Sequence, residues 1–224
     1  VHTYKGCDAL VGWGIARDRI TVIPHGPLPI NLSFGIATHQ QERDHRWTFV
    51  LFGRLQEYKG LDILIEALAE MPAAVRARMR VIVAGEPFYD VAAVQRRAMS
   101  LNVSDVVDWR LTRLTECEMA SLFEEADSFI FPYRRIEASG VYYTVKGLGK
   151  WIVASDLGSF SEEISNEIGR LVPPADASAL AAAMTDAVGK IPDLCKARGP
   201  SWDEIGVDLA NLYNRLLDRR GFIK

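Results

Sequence analysis

Apolar residues along this chain gather in short runs, and the stretches between the runs carry helical spacing. The runs are Trp47–Phe52, Arg80–Ala84, Val106–Trp109, Ser128–Phe131, Trp151–Ala154 and Arg170–Val172. Between them, Leu61–Glu70, Val91–Ser100, Glu116–Glu125, Val141–Leu148 and Ser161–Asn166 repeat apolar positions every three or four residues. Strands alternating with helices predict parallel βαβ units and right-handed crossovers. The runs are continuously apolar rather than alternating, which is expected of strands covered by helices on both faces. The pattern therefore predicts an α/β fold, a Rossmann-like parallel sheet spanning residues 47–200.

The flanks are less regular. Val1–Thr3 reads as the tail of a strand, followed by a helix near Lys5–Trp13 and a strand over Arg19–Ile23. Pro24-His25-Gly26-Pro27-Leu28-Pro29 stops that strand, because most of its residues restrict or break regular structure. Residues 29–46 mix polar and apolar positions and read as a linker. After the sheet region, alanine-rich Asp176–Val188 and then Trp202–Leu217 are predicted helices. In the last of these Ile205, Leu209, Leu212, Tyr213, Leu216 and Leu217 fall on one face, which must pack on something. The absence of an initiator Met suggests a piece of a longer chain.

Composition narrows the class. The chain has 224 residues and a net charge of −3, which argues against bulk attraction to nucleic acid. Short basic clusters at Arg76–Arg80, Arg96-Arg97, Arg134-Arg135 and Arg219-Arg220 are either solvated helix faces and ends or contacts to anionic lipid or a lipid-linked acceptor. Cys7, Cys117 and Cys195 are widely separated, which suits a reducing compartment without structural disulfides or zinc. His39 and His45 lie in the polar linker and do not form a ligand pattern. No apolar stretch reaches the roughly 18–20 residues needed to cross a bilayer. The expected location is cytoplasmic, with peripheral contact at the inner face of a membrane as an extension of that expectation.

Candidate chemistry sits where the apolar runs end. Phe49-Val50-Leu51-Phe52 gives way to Gly53-Arg54, and Lys59-Gly60 follows just before a helix begins. Open α/β sheets bind ligands at the carboxyl ends of their strands, and two cations there point to an anion, a phosphate or diphosphate. Gly85, after the second run, permits close backbone approach. Glu137-Ala138-Ser139-Gly140-Val141 leads into a helix, with Ser139 as N-cap and the N–H groups of Gly140 and Val141 free to hold an anion. One unit-charge pair at about 4 Å and an effective dielectric near 20 is worth about 4 kcal/mol before desolvation. Micromolar binding needs roughly 8 kcal/mol. The alternative is structural: Arg54 paired with Glu57 or Glu86, and Lys59 a solvated loop residue.

Other ligand classes lack their signatures. No strand is followed by G-x-G-x-x-G, and no G-x-x-x-x-G-K-[ST] occurs, so dinucleotide and P-loop sites are disfavoured. No Asp-x-Asp pair suggests a metal-bridged diphosphate, and no G-x-S-x-G suggests a covalent hydrolase.

Taken in order, Val22-Ile23-Pro24-His25-Gly26, Phe52-Gly53-Arg54…Tyr58-Lys59-Gly60, Val81-Ile82-Val83-Ala84-Gly85, Phe131-Pro132-Tyr133, Gly149-Lys150-Trp151-Ile152-Val153-Ala154-Ser155-Asp156 and Gly169-Arg170-Leu171-Val172-Pro173 resemble the retaining glycosyltransferases of family 4, with the GT-B fold. That resemblance implies two Rossmann-like domains flanking a cleft. Residues 1–28 would be the end of the acceptor domain and the interdomain crossover. Residues 47–200 would bind a nucleoside-diphosphate sugar, and residues 201–224 would form a helix returning toward the other domain. It implies that Arg54 and Lys59 hold the donor diphosphate, with Gly140 and Val141 on the distal phosphate. Gly53 and Gly85 would line the donor, and Arg110-Leu111-Thr112-Arg113 would cup the base through backbone, the side chains of Arg110 and Arg113 being either involved or surface charge. The nucleotide sugar is substrate, no cofactor is implied, and the acceptor would be a saccharide or a lipid-linked one.

The chain departs from the family pattern of two glutamates eight residues apart. Ile136 and Thr144 fall at those positions, with Glu137 one place away. Glu137 is then either a residue that approaches the donor sugar or a cap for the helix start, and Thr144 offers the ribose a hydroxyl rather than a carboxylate. Two other readings stay open: a non-catalytic nucleotide-sugar-binding module, and a GT-B-like sugar-nucleotide epimerase.

Overall fold

The structure, a computed structural model, describes residues 1–28, 46–193 and 199–219. In chain order the elements are α1 (Tyr4–Gly12), β1 (Trp47–Phe52), α2 (Leu61–Glu70), α3 (Ala73–Arg76), β2 (Met79–Ala84), α4 (Val91–Ser100), β3 (Val107–Arg110), α5 (Glu116–Glu125), β4 (Ser128–Phe131), α6 (Gly140–Val145), β5 (Trp151–Ser155), α7 (Gly158–Glu163), β6 (Gly169–Val172), α8 (Ala177–Ala187) and α9 (Trp202–Arg219). The predicted linker lies almost wholly outside the described residues, as do His39, His45 and Cys195.

All six strands pair in parallel in the order β3-β2-β1-β4-β5-β6. The chain builds outward from β1 to β3, then returns to lay β4 on the other side of β1. The order reverses between β1 and β4, and in open α/β sheets that crevice, at the carboxyl ends of the strands, is where ligands bind. The sheet has helices on both faces, as predicted. Leu51, Val81, Val83 and Val153 pack with Leu64, Leu68, Val94 and Met184 from α2, α4 and α8. Val50, Ile82, Phe129 and Phe131 pack with Phe123, Tyr142 and Phe160 from α5, α6 and α7. Successive strand residues point to opposite faces, so both faces can be buried only if the strand is apolar throughout.

Three sequence expectations are corrected. Val1–Thr3 is no strand tail but irregular chain ending in the cap of α1. Arg19–Ile23 is not a strand: Arg17–Arg19 is a 3₁₀ turn and the residues after it form no regular element. A strand needs a partner along its length. Here Val1 donates to the carbonyl of Thr21 at 3.1 Å and accepts from the N–H of Ile23 at 2.9 Å, and the pairing goes no further than His2. The helix expected over Ser161–Asn166 runs instead over Gly158–Glu163. Glycine is a poor helix former. It starts this helix because Gly158 has φ +47° and lies so close to the carbonyls of Ile136 and Glu137 that a Cβ would collide with them. The N–H of Ser159 then donates to the Glu137 carbonyl at 2.8 Å.

The N-terminal helix is held to the sheet domain by its first turn. Thr3 caps α1. The N–H groups of Tyr4 and Lys5 donate to the Glu162 carboxylate at 2.9 and 2.6 Å. A carboxylate at a helix N-terminus satisfies otherwise unpaired donors and meets the positive end of the dipole. At the other end of the chain, α9 docks through Trp202 and Ile205. The Trp202 indole N–H donates to the carbonyl of Pro27 at 2.7 Å, and its ring fits against Gly26, where a Cβ would lie 2.7 Å from it. His25 stacks on Tyr143 at 4.3 Å and meets Trp202 edge-on. Beyond Ile205 the apolar face of α9 is largely exposed, including Leu209, Tyr213, Leu216 and Leu217.

Candidate functional site

The three loops singled out in the sequence converge at the ends of β1, β2 and β4. Gly53, at φ +108°, follows β1, and a Cβ on it would lie 2.9 Å from Nζ of Lys59 and 2.9 Å from Cγ2 of Val141. Gly85, at φ +135°, follows β2 and rests on the Gly53 carbonyl so closely that any side chain would collide with it. Its N–H donates to the carbonyl of Arg110 at 3.0 Å. Both glycines are needed twice over, for a positive φ and for the approach of backbone to backbone.

Lys59 ends a 3₁₀ turn over Glu57–Lys59 and is only 3% exposed. Its ammonium donates to the carbonyl of Phe52 at 2.8 Å and lies over the Tyr133 ring, 5.3 Å from its centroid. Desolvation lowers its pKa from 10.5 to about 8. The alternative of a solvated loop lysine is thereby excluded: among the described residues one neutral carbonyl and one aromatic face are its partners, and no carboxylate pairs with it. Arg54 is exposed, with its guanidinium 5.7 Å from the Phe88 ring centroid. It forms no ion pair with Glu57 or Glu86 among the described residues.

Across the crevice, Ser139 caps α6, and its hydroxyl accepts from the N–H of Tyr142 at 3.3 Å. No acceptor among the described residues takes the N–H of Gly140 or Val141. Leu28 reaches over Gly140, where a Cβ would lie 3.4 Å from its Cδ1, and the Leu28 N–H donates to the Tyr143 carbonyl at 3.3 Å. The buried Tyr133 hydroxyl makes no well-formed hydrogen bond among the described residues, and burial raises its pKa well above the usual phenol value.

The remaining candidates are placed differently. Glu137 sits in the β4–α6 loop, but its carboxylate accepts from the Thr3 hydroxyl and lies against Gly6 in α1. It does not cap α6; that cap is Ser139. The Thr144 hydroxyl donates to the Gly140 carbonyl at 2.9 Å, one turn back in its own helix. Arg110 is the last residue of β3 rather than part of the following loop. Its guanidinium is neither free surface charge nor turned to the crevice. It donates to Asp108 at 3.0 and 2.9 Å and to Glu125 at 2.9 and 3.2 Å, and Arg80 also pairs with Glu125. Leu111 is half-buried against the core.

Residues to which the sequence reading gave no place in the site also shape it. Tyr133 and Phe88 supply aromatic faces for the two cations. Arg134, one of the basic pairs, makes a bidentate ion pair with Asp62 in the first turn of α2. The clue for Tyr133 was an aromatic residue directly after Phe131-Pro132 at a strand end. Nothing local links Arg134 to Asp62.

A cavity of about 640 Å³ lies elsewhere, between Val1–His25 and the apolar face of α9.

A family model described as "Glycosyl transferases group 1" matches residues 46–189. Among solved structures, the chain is similar to sucrose-phosphate synthase from Thermosynechococcus elongatus, at 22% identity and TM-score 0.73, covering 98% of this chain and 58% of that one. It is similar to HepE from Anabaena in complex with UDP, at 19% identity and TM-score 0.79, covering 96% and 63%. WaaG, a glycosyltransferase involved in lipopolysaccharide biosynthesis, matches at 18% identity and TM-score 0.68, covering 88% and 55%. The chain thus spans a little over half the length of these structures. No curated protein matches it.

Proposed function

We propose that this chain, which belongs to the glycosyl transferases group 1 family, is the donor-binding part of a glycosyltransferase that takes a sugar from a nucleoside diphosphate. Residues 47–200 form the donor domain, residues 1–28 the end of an acceptor domain and the crossover, and α9 a helix returning to that domain. The observation that carries this reading is Lys59. Among the described residues its ammonium is buried without a carboxylate partner, beside Gly53 and Val141, where α6 opens with N–H groups that no acceptor takes. A buried cation without a counter-ion costs free energy, and an anionic ligand meeting it offsets that cost.

In this reading Lys59 and Arg54 hold the diphosphate, and Gly140 and Val141 donate to its distal phosphate. Gly53 and Gly85 let it lie against backbone, and the backbone around Arg110 and Leu111 faces the base. Ser139 fixes the start of α6. Transfer would retain configuration and need no metal: the anomeric carbon–phosphate oxygen bond breaks while the acceptor oxygen attacks from the same face. The acceptor proton passes to the departing phosphate. The two cations stabilise the charge that grows on that phosphate. HepE has been solved with UDP, which supports a nucleotide of that kind. The role of WaaG supports a saccharide or lipid-linked acceptor. Such an acceptor would bring the protein to the cytoplasmic face of a membrane; none of the described helices is long and apolar enough to cross one.

A second reading, a nucleotide-sugar-binding module without transfer, is favoured by one observation. Glu137 is engaged by Thr3, and Thr144 stands where the family has a carboxylate. Calorimetry with UDP, GDP and ADP tests the site itself. The expected result is micromolar binding of one of them, weakened at least tenfold in Lys59→Ala and Arg54→Ala, about 1.4 kcal/mol or more. Absence of binding by all three sinks the site. Binding without sugar transfer, once the chain is joined to the residues that precede it, selects the module.

A further inference from the structure

The turn that carries Lys59 is strapped from outside by one residue. Arg134 lies in the loop after β4, and its guanidinium donates to both oxygens of Asp62, at 2.8 and 2.5 Å. The same side chain donates to the carbonyl of Glu57 at 3.4 Å, and its backbone N–H donates to the carbonyl of Tyr58 at 2.7 Å. These acceptors bracket Lys59 in the sequence. Glu57 and Tyr58 come before it in the 3₁₀ turn, and Asp62 follows in the first turn of α2. Between them Gly60, at φ +68°, presses on the Pro132 carbonyl so closely that no side chain could be accommodated. Tyr133, next to Arg134, provides the ring under the ammonium, and it also meets Tyr58 edge-on at 5.4 Å.

An ion pair this exposed, with Arg134 at 37% and Asp62 at 52%, adds little to global stability. Its bidentate fork does fix direction. The loop it fixes is the one from which Lys59 reaches back to Phe52, so the geometric effect falls on the ammonium.

We propose that Arg134, anchored on Asp62, is a positioning residue for Lys59: it holds the Glu57–Gly60 turn so that the ammonium meets the phosphate of a nucleoside diphosphate without rearranging. This rests on the reading of Lys59 as a diphosphate cation. Binding groups held in place before the ligand arrives spare the ordering cost at the moment of binding.

The competing account is that Arg134 acts only through its charge. The two differ in sign at Asp62. Removing a carboxylate near the crevice raises affinity for an anion if charge alone matters, and lowers it if the strap matters. Among the described residues, the charged and titratable groups on the turn and its straps are Glu57, Tyr58, Asp62, Tyr133 and Arg134, with Arg54 on the preceding loop and Tyr89 beside Asp62 and Arg134. Burial, with Asp62 and Glu57 nearby, pushes Tyr89 up to about 12.

The test is calorimetric titration with UDP, GDP and ADP between about pH 6.5 and 9.5. The proteins compared are wild type, Lys59→Ala, Arg134→Lys, Arg134→Ala and Asp62→Asn, with the melting temperature of each recorded. In the wild type, affinity for the nucleotide that binds falls as pH rises through about 8, where Lys59 loses its proton. Arg134→Lys keeps the charge and Asp62→Asn removes a negative one. Both, like Arg134→Ala, are expected to weaken binding about tenfold. In all three the fall with pH moves up toward the ordinary lysine value, because a released Lys59 is better solvated. Wild-type affinity in Arg134→Lys, or tighter binding in Asp62→Asn, overturns the proposal. So does an unmoved pH midpoint alongside a lowered melting temperature, which marks a merely structural role. If the wild type binds none of the three nucleotides, the reading of Lys59 fails first. If Lys59→Ala loses binding while the Arg134 and Asp62 variants do not, only the strap fails.

Discussion

Lys59 is held in a place that favours losing its charge. Its folded pKa is about 8 against 10.5 for an ordinary lysine. Between those values the unfolded chain binds a proton that the folded chain has released, so this group makes stability rise with pH across that window. Below pH 8 the cost of the buried charge is fully present, about 3 kcal/mol by conversion of the shift. Lys59→Met, similar in length and uncharged, is therefore expected to be more stable than wild type at pH 7 by up to that amount. The gap closes toward pH 10.5, and urea denaturation at a series of pH values measures it. A gap that widens with pH contradicts the burial. The lysine itself was legible in the sequence, because a strand, a glycine, two cations and a helix start in that order place a positive charge at a sheet edge. Its surroundings were not. Tyr133 and Arg134 come from more than seventy positions away, and only the pairing of β4 beside β1 brings them in.

At the scale of elements, continuous apolar runs located all six strands of the sheet within a residue or so, since a doubly covered parallel strand admits little else. The misses share one cause. Arg19–Ile23 has the composition of a strand, but among the described residues only Val1 and His2 lie along it to pair with, and α7 begins at a glycine because a neighbouring loop demands it. Contacts made in three dimensions decided both against local preference. The apolar stripe of α9 was read correctly, but most of it stays exposed, and the helix is held by Trp202 and Ile205 at one end. Ile205→Asp puts a charge where the side chain is 6% exposed. It is expected to release α9, so that trypsin cuts at Arg215 several-fold faster while the fragment carrying the sheet persists. An unchanged cutting rate would show that Trp202 alone holds the helix.

At the scale of the whole molecule, the sheet is two contiguous blocks of chain. Residues from β1 to β3 make one half, and those from β4 to β6 make the other. Strands β1 and β2 pair along their full length, from Trp47 opposite Met79 to Phe52 opposite Ala84. As strands the two halves pair over a shorter span, Phe49 facing Ser128 and Val50 facing Phe129, and they are also joined by Arg134 on Asp62 and by α2 packed on α8. The crevice lies over that short join. Lys59 and Arg54 belong to the first half, Ser139, Gly140 and Val141 to the second. A nucleotide gripped by both sets is thus a cross-brace. Its arrival is expected to slow amide exchange in β1 and β4 more than in the outer strands β3 and β6, although it touches only the loops. Uniform slowing across the sheet would mean that the halves already open as one. The shortest strand pairing in the sheet would then owe part of its strength to the molecule passing over it.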